Sequence, residues 1–350
     1  MLEEKRRLLT RTLPLLLAGL ILFLIYLYFI GFSNIIEAFS KVNLEIFLLA
    51  VLTTLIDVFL FTFTWQYLLK ALSVKLHFPR ALSYVLAGVF VDILIPAESV
   101  SGEISKIYFM NREGADVGKV TATLVIQRIY GMIITASTML SACLILLTTT
   151  HLPGIIINLV LFFSGLTLIF LALILIFCLK KEFTEKIIKK VLGFLKRILP
   201  KRLNLQSWEK MVEKALNTFF PSLFILAKTP KKLLVSVVSA VSSWIFCLLT
   251  SQFVFYSLGH PISFPVVMLV YSLSMIIQSI PAGIPAEVGI TEIVMSSLYA
   301  SFGVNQALAA AATILIRFLT IWLKFTMGFI ALQWVGIKII VDKQKQIKQN

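Results

Sequence analysis

Two stretches decide how this chain is read: Ile95–Ile104, IPAESVSGEI, and Ile284–Ile293, IPAEVGITEI. They lie 189 positions apart, and carrying that offset along without a gap brings Gly114 onto Gly303, Ala122 onto Ala311 and Arg128 onto Arg317. Asp116 meets Asn305, two residue types that both cap helix N-termini. Each copy sets one proline, two glutamates and one arginine at the same spacing within apolar sequence. Matching the rarest residue types in register marks an internal repeat.

Around the repeat the chain is apolar: 350 residues, 59% hydrophobic and 14% charged, with a mean hydropathy of +0.96. The runs Pro14–Phe32, Leu44–Leu69, Gly118–Leu147, Pro153–Leu179, Leu233–Leu258 and Ala307–Leu323 each approach or exceed the ~20 residues that a helix needs to cross hydrocarbon. Alternating short strands of a β-barrel are not seen. Cys143, Cys178 and Cys247 sit inside apolar runs, and His77, His151 and His260 are far apart. Neither set has metal-ligand spacing, and no cofactor is expected.

The net charge of +15 does not point to nucleic acid, because it is concentrated in one segment. Lys180 to Lys232 carries fourteen Lys/Arg against Glu182, Glu185, Glu209 and Glu213. This is the pattern of a cytoplasmic loop. Lys5, Arg6, Arg7 and Arg11 put the N-terminus on the same side, and the Lys-rich tail does so for the C-terminus. The loop Ser33–Asn43, the turn His151–Gly154 and Gly259–Ser263 fall outside. Within the basic segment, Ile187, Ile188, Val191, Leu192, Leu195 and Ile198 recur at helical spacing opposite lysines. They suit either an amphipathic helix on the inner membrane surface or one packed on Ser207–Phe220.

Ala81–Ile95 is too short to span, and Ala97–Arg112 too charged to face lipid. Both suit a re-entrant hairpin turning near Pro96, and Ser263–Ile280 with Glu287–Gly303 forms its counterpart near Pro285. One hairpin enters from inside and the other from outside. The expected fold is therefore an all-α polytopic membrane protein, with about six full transmembrane helices and two re-entrant hairpins in an inverted repeat. The single domain, residues 1–350, divides into a first half at about 44–149, the basic loop 180–232 and a second half at about 233–340. Inverted repeats with broken helices near the midplane are a recurrent transporter architecture.

Arg128 lies ten residues after Gly118 and Arg317 twelve after Asn305, placing them at depths of ~15 and ~18 Å. A charge so deep needs partners, and the repeat supplies Glu98 and Glu103 in one half, Glu287 and Glu292 in the other. Asp57, Asp92 and Gln127 add polar groups. Pro96 and Pro285 suit a first helical turn, whose N-terminus with an arginine alongside can hold an anion. The substrate site expected from these residues comprises Arg128 and Arg317 as phosphate ligands. Glu98 and Glu287 act there as gates or proton exchangers, with Glu103, Glu292, Pro96, Pro285, Asp57 and Gln127 around them.

The pattern P-A-E-x-x-x-x-E-I followed by a helix bearing a lone arginine, present twice, resembles the lysylphosphatidylglycerol synthase transmembrane region family, also called flippase-like or UPF0104 proteins. The likeness runs from about Thr10 to Ile340, and Ile280–Val304 with its PAGIPAEVGITE core carries it best; Ala286 and Val288 stand where family members often have glycine. Founding members join this unit to a soluble aminoacyl-transferring domain, and the membrane unit moves the product lipid between leaflets. The chain stops at Asn350, so lipid aminoacylation is not expected.

The resemblance implies a cell-membrane flippase, not an enzyme, moving an anionic phospholipid or polyprenyl-phosphate-linked lipid by alternating access. The partner is a lipid with a phosphate headgroup; self-assembly or a lipid- or glycan-synthesising enzyme as neighbour is compatible with it. A lipid-modifying intramembrane enzyme or a non-transporting pathway partner is the alternative. Nucleophile elbows, HExxH and Walker motifs are absent from the sequence.

Overall fold

A computed structural model describes residues 31–95, 100–150, 152–198, 205–279 and 284–349, with a few positions between 21 and 28. These residues are helical, joined by turns. In chain order the helices are α1 (Phe32–Ser40), α2 (Leu44–Ala71), α3 (Phe78–Leu94), α4 (Val100–Arg112), α5 (Val117–Thr149), α6 (Gly154–Leu179), α7 (Lys181–Ile198) and α8 (Leu205–Ala227). Then follow α9 (Pro230–Ser257), α10 (Phe264–Gln278), α11 (Ile290–Ser301), α12 (Gln306–Arg317) and α13 (Lys324–Gln349). Among the described residues five helices are long and apolar enough to cross a membrane: α2, α5, α6, α9 and the run Gln306–Gly336. Most of the expected span Pro14–Phe32 lies outside the described residues.

The same local chemistry recurs at the repeat offset. Asp116 caps α5 by accepting from the Gly118 and Lys119 amides, and Asn305 caps α12 by accepting from Ala307 and Leu308. The turns before these caps match as well. Gly114 and Gly303 adopt φ +81° and +85°, a left-handed conformation that glycine takes without steric cost. In each turn the next amide (Ala115, Val304) reaches back to the carbonyl five residues earlier (Met110, Tyr299).

Upstream of the hairpin tips the offset is 186, not the gapless 189 expected. α2 and α9 are both 28 residues long and begin at Leu44 and Pro230. α3 and α10 both begin with Phe-Pro, at Phe78 and Phe264. Gln66 Nε2 donates to the Leu76 carbonyl at 2.8 Å, and Gln252 Nε2 to the Ile262 carbonyl at 2.7 Å. The three extra residues of the second half fall between the end of α10 and Ile284.

α2 and α9 pack antiparallel along their whole length. The Asn43 amide donates to the Ser257 carbonyl at one end, and Lys232 Nζ to the Lys70 carbonyl at the other. Between them Thr53 meets Thr250 at 3.0 Å, Ser243 meets Asp57 at 2.6 Å and Ser239 donates to the Leu60 carbonyl. Small hydroxyl residues let the backbones approach, as between helices in lipid, where packing and interhelical hydrogen bonds replace the hydrophobic drive.

The short helices cross between halves. α3 packs on α13, where a Cβ on Gly328 would run into the Leu86 carbonyl, and Phe90 stacks with Phe325 and Phe329. α10 packs on α5 in the equivalent way. The return helices stay at home: α4 touches α5, and α11 touches α12. Each arginine helix is therefore flanked by its own half's return helix, while the arm of the other half packs along the same long helix.

The segment Ser33–Asn43, expected as a loop, is mostly the helix α1. Ile35 and Ala38 bury against Ala307, Ala310 and Ala311 of α12, and Glu37 pairs with Lys41 one turn on at 2.7 Å. α8 docks on α5 so closely that a Cβ at Gly118 would overlap the Ala215 carbonyl and the Thr218 hydroxyl. Thr218 also donates to Asp116, outside the spans. Burial raises that carboxyl, but the bonds from Thr218, Lys119 and Gly118 outweigh it and hold the acid below its ordinary range.

Candidate functional site

Of the two glutamates that each half offers its arginine, the second forms an ion pair in both halves. Arg128 Nη1 lies 3.2 Å from Glu103 Oε1, and Arg317 Nε lies 2.8 Å from Glu292 Oε1; each pair spans 25 residues along the chain. Their settings differ. Arg317 is 5% exposed in its side chain, whereas Arg128 is 35% exposed. Arg317 also donates from Nη1 to Gln278 Oε1 at 3.3 Å and from Nη2 to the Ala286 carbonyl. One guanidinium thus ties α12 to α11, to α10 and to the turn between them, which its planar fork of donors allows.

The helix starts need one correction. Pro285 does not open the return helix: Pro285–Glu287 is a separate 3₁₀ turn, and α11 begins at Ile290. Ala286 and Glu287 adopt φ 55° and 45°, a conformation costly for residues with a Cβ, next to the carbonyl that Arg317 grips. Gly289, at φ 93°, supplies the N-cap, and Glu292 Oε2 accepts from its amide at 2.7 Å. Glu292, not Glu287, therefore occupies the first turn of α11, where a carboxylate meets the positive helix end, and Glu103 lies in the first described turn of α4. Pro96 and Glu98 lie outside the described residues.

Between the halves lies a cavity of about 590 Å³ with mostly apolar walls. Asp57, Gln127, Arg128, Glu103 and Arg317 of the expected set line it; Glu292 stands behind Arg317, and Pro285 and Glu287 are not part of the wall. Two lysines join them. Lys324 faces the cavity and pairs with Asp57 Oδ2 at 2.7 Å. Lys106 is buried beneath Phe61 and Trp65, with its Nζ 5.8 and 5.5 Å from the two ring centres. Sequence reasoning did not single out Lys106; three residues on from Glu103 along α4, it shares the helix face that looks into the cavity.

A π-helical turn, Phe318–Leu323, separates Arg317 from Lys324. Such turns insert one extra residue per turn and gather at functional sites. Nothing in the composition of FLTIWL marks it.

The match to known proteins bears on this arrangement. Residues 13–328 match the family described as lysylphosphatidylglycerol synthase TM region. The chain belongs to that family. Similar proteins include a UPF0104 membrane protein of Pyrococcus horikoshii, 29% identical over 90% of this chain and 94% of its own. Others of the same label come from Methanothermobacter thermautotrophicus (25% identical; 94% and 98% covered) and Methanocaldococcus jannaschii (24%; 96% and 98%). The family member described here is a multi-pass membrane protein, as its apolar helices require.

Proposed function

We propose that the protein is a lipid flippase that carries an anionic phospholipid or polyprenyl-phosphate-linked lipid between leaflets by alternating access. The observation that carries this reading is the cavity between the halves: apolar walls suited to acyl or prenyl chain, with Arg128, Arg317, Lys106 and Lys324 among its lining residues. A phosphate in such a site exchanges water for charge-assisted hydrogen bonds. The family description, which names a lysylphosphatidylglycerol synthase, points to the same lipid chemistry.

In this reading α3–α4 and α10–α11 are hairpins inserted from opposite faces, and the in-plane two-fold axis that relates the inverted halves passes between the antiparallel helices α2 and α9. The basic segment 180–232 and both termini are cytoplasmic, and α7, with Val191 and Phe194 exposed, lies on the inner surface. Arg128, the more exposed arginine, meets the headgroup first, while Arg317 shapes the floor of the site.

The test is leaflet-specific labelling in liposomes containing the purified protein and an acyl-labelled phosphatidylglycerol or a polyprenyl phosphate. Wild type is expected to move one of them faster than protein-free vesicles, and folded Arg128→Gln and Arg317→Gln proteins to move it slowly. Wild-type vesicles indistinguishable from empty ones for both lipids would remove the proposal.

A further inference from the structure

Among the described residues, the charges of the cavity wall cancel once Glu292, bonded to Arg317, is counted with them. The positive ones are Lys106, Arg128, Arg317 and Lys324. Against them stand Asp57, Asp92 and Glu103 on the wall and Glu292 bonded to Arg317. Arg128, Arg317 and Lys324 are in ion pairs, and Lys106 lies within the electrostatic reach of Glu103 and Asp92. A phosphate entering this neutral set leaves an uncompensated negative charge in a medium where charge is poorly screened. The site stays neutral if one carboxylate takes up a proton as the anion arrives. We infer that this carboxylate is Asp57, and that the protein moves one proton with each anionic lipid; the inference rests on the transport reading above.

The other three carboxylates are each bonded to a backbone amide or a guanidinium, donors that cannot turn round to accept from a protonated acid. Asp92 Oδ1 accepts from the Ser101 hydroxyl and the Gly102 amide, both at 2.6 Å. Glu292 divides its oxygens between the Gly289 amide and Arg317. Glu103 faces Arg128, and a guanidinium keeps its charge at any pH of interest.

Asp57 differs on both oxygens. Its Oδ1 accepts from the Ser243 hydroxyl at 2.6 Å, and the same hydroxyl lies 3.2 Å from the Asp57 main-chain carbonyl. A hydroxyl is donor and acceptor. On protonation of Asp57, Ser243 turns its hydrogen to that carbonyl and accepts from the new O–H, so neither group is stranded. Oδ2 pairs with Lys324, a compact ammonium on a flexible stem, rather than with a planar fork. The remaining groups facing the pair are Cys247 of α9 and Tyr271 of α10, bonded to each other at 2.9 Å, with Arg317 acting on Tyr271. A thiol and a phenol carry no charge near neutrality.

The proton balance is simple. Water on the loading side gives a proton to Asp57; an O–H bond forms, and Lys324 keeps its own protons while turning to a phosphate oxygen. When the lipid leaves into the other leaflet, Lys324 returns, the Asp57 O–H breaks and the proton goes to water on that side. The lipid is chemically unchanged. The Glu–Arg pairs occur in both halves, but Asp57 corresponds to Ser243 and Lys324 to Thr135, so the exchangeable pair occurs once. It sits where α2 and α9 cross, within reach of both halves.

The experiment uses the full chain in phosphatidylcholine vesicles with acyl-labelled phosphatidylglycerol, or a labelled polyprenyl phosphate if that is the lipid moved. The leaflet distribution is read at equilibrium under an imposed pH difference. With one proton per lipid, one pH unit shifts the leaflet ratio about ten-fold toward the alkaline side. A trapped pH dye reports proton movement when a lipid imbalance alone drives transport.

Asp57→Asn is expected to move lipid more slowly than wild type, with no shift of the leaflet ratio and no dye signal per lipid moved. Should it fail to fold, the neutral pair Asp57→Asn/Lys324→Gln takes its place, slower still and again with no shift and no dye signal per lipid moved. Wild type that moves lipid with an even distribution under the pH difference overturns the coupling and leaves the transport reading standing. A gradient response retained by the asparagine protein, or by the neutral pair, overturns the assignment to Asp57. Wild type that moves neither lipid ends both.

Discussion

Replacing Arg317 with lysine keeps the charge and removes the fork, and the structure lets the cost be worked out. The guanidinium serves acceptors on three segments: Glu292 on α11 at 2.8 Å, Gln278 on α10 at 3.3 Å and the Ala286 carbonyl in the turn between. One ammonium nitrogen on a shorter planar-less stem reaches Glu292 and leaves the other two acceptors without their donor. Interhelical hydrogen bonds in membrane proteins are worth about 0.6 kcal/mol on average and up to ~1.7, so the loss comes to about 1–3 kcal/mol. At 5% exposure, little water is at hand to replace them.

Arg128→Lys makes the contrast. That side chain is 35% exposed and its pair with Glu103 is 3.2 Å long, so screening limits the change to about 0–1 kcal/mol. Denaturation of both purified variants in detergent, beside lipid translocation by the folded fraction, reads the two effects separately. Arg317→Lys should be the less stable, and both should transport more slowly because neither can grip two phosphate oxygens. Equal stability of the two lysine proteins refutes the three-point grip; wild-type transport by both refutes the phosphate role.

Other outcomes follow from particular contacts. Glu292→Gln and Arg317→Gln should lose stability less than additively when combined, since each alone strands the other's partner; full additivity in a denaturation cycle would remove the pairing. Gly118→Ala should cost about 1–3 kcal/mol because α8 must move away, whereas Gly131→Ala, with open space at its Cβ, should be neutral in the same melt. Asp116 has its folded acidity below the unfolded value, so its contribution to stability is complete above about pH 4 and is lost as pH falls through the folded value. Asp116→Asn should abolish that acid-side loss and keep the cap, as Asn305 does, while Asp116→Ala should cost ~1 kcal/mol at neutral pH. In a cysteine-free background, Gly259→Cys and Lys190→Cys should label from opposite faces of sealed vesicles; labelling from the same face would contradict the proposed topology.

The sequence by itself determined that the chain is helical and membrane-spanning, because runs of apolar residues of bilayer length have no other stable solution. It also marked the caps at Asp116 and Asn305 and supplied two glutamates in each half as partners for Arg128 and Arg317. Charged residues in apolar sequence must find opposite charge, but Glu98 and Glu287 recur in register as well as Glu103 and Glu292 do, so the choice of partner came from the structure. Only the tertiary structure decided what depends on side chains from distant segments meeting. The offset of 186 that relates α2 to α9 is carried by Gln66 and Gln252, Phe78 and Phe264, too few identities among interchangeable apolar residues to be read before the hydrogen bonds were seen. The turn at Pro285–Glu287 departs from a helix start because Arg317, distant in sequence, draws the Ala286 carbonyl into place. Asp57 and Lys324 stand 267 residues apart with no repeat to connect them. They meet because α2 packs against the π-helical turn that precedes Lys324, and packing between helices, unlike periodicity along one, leaves no mark in the order of residues.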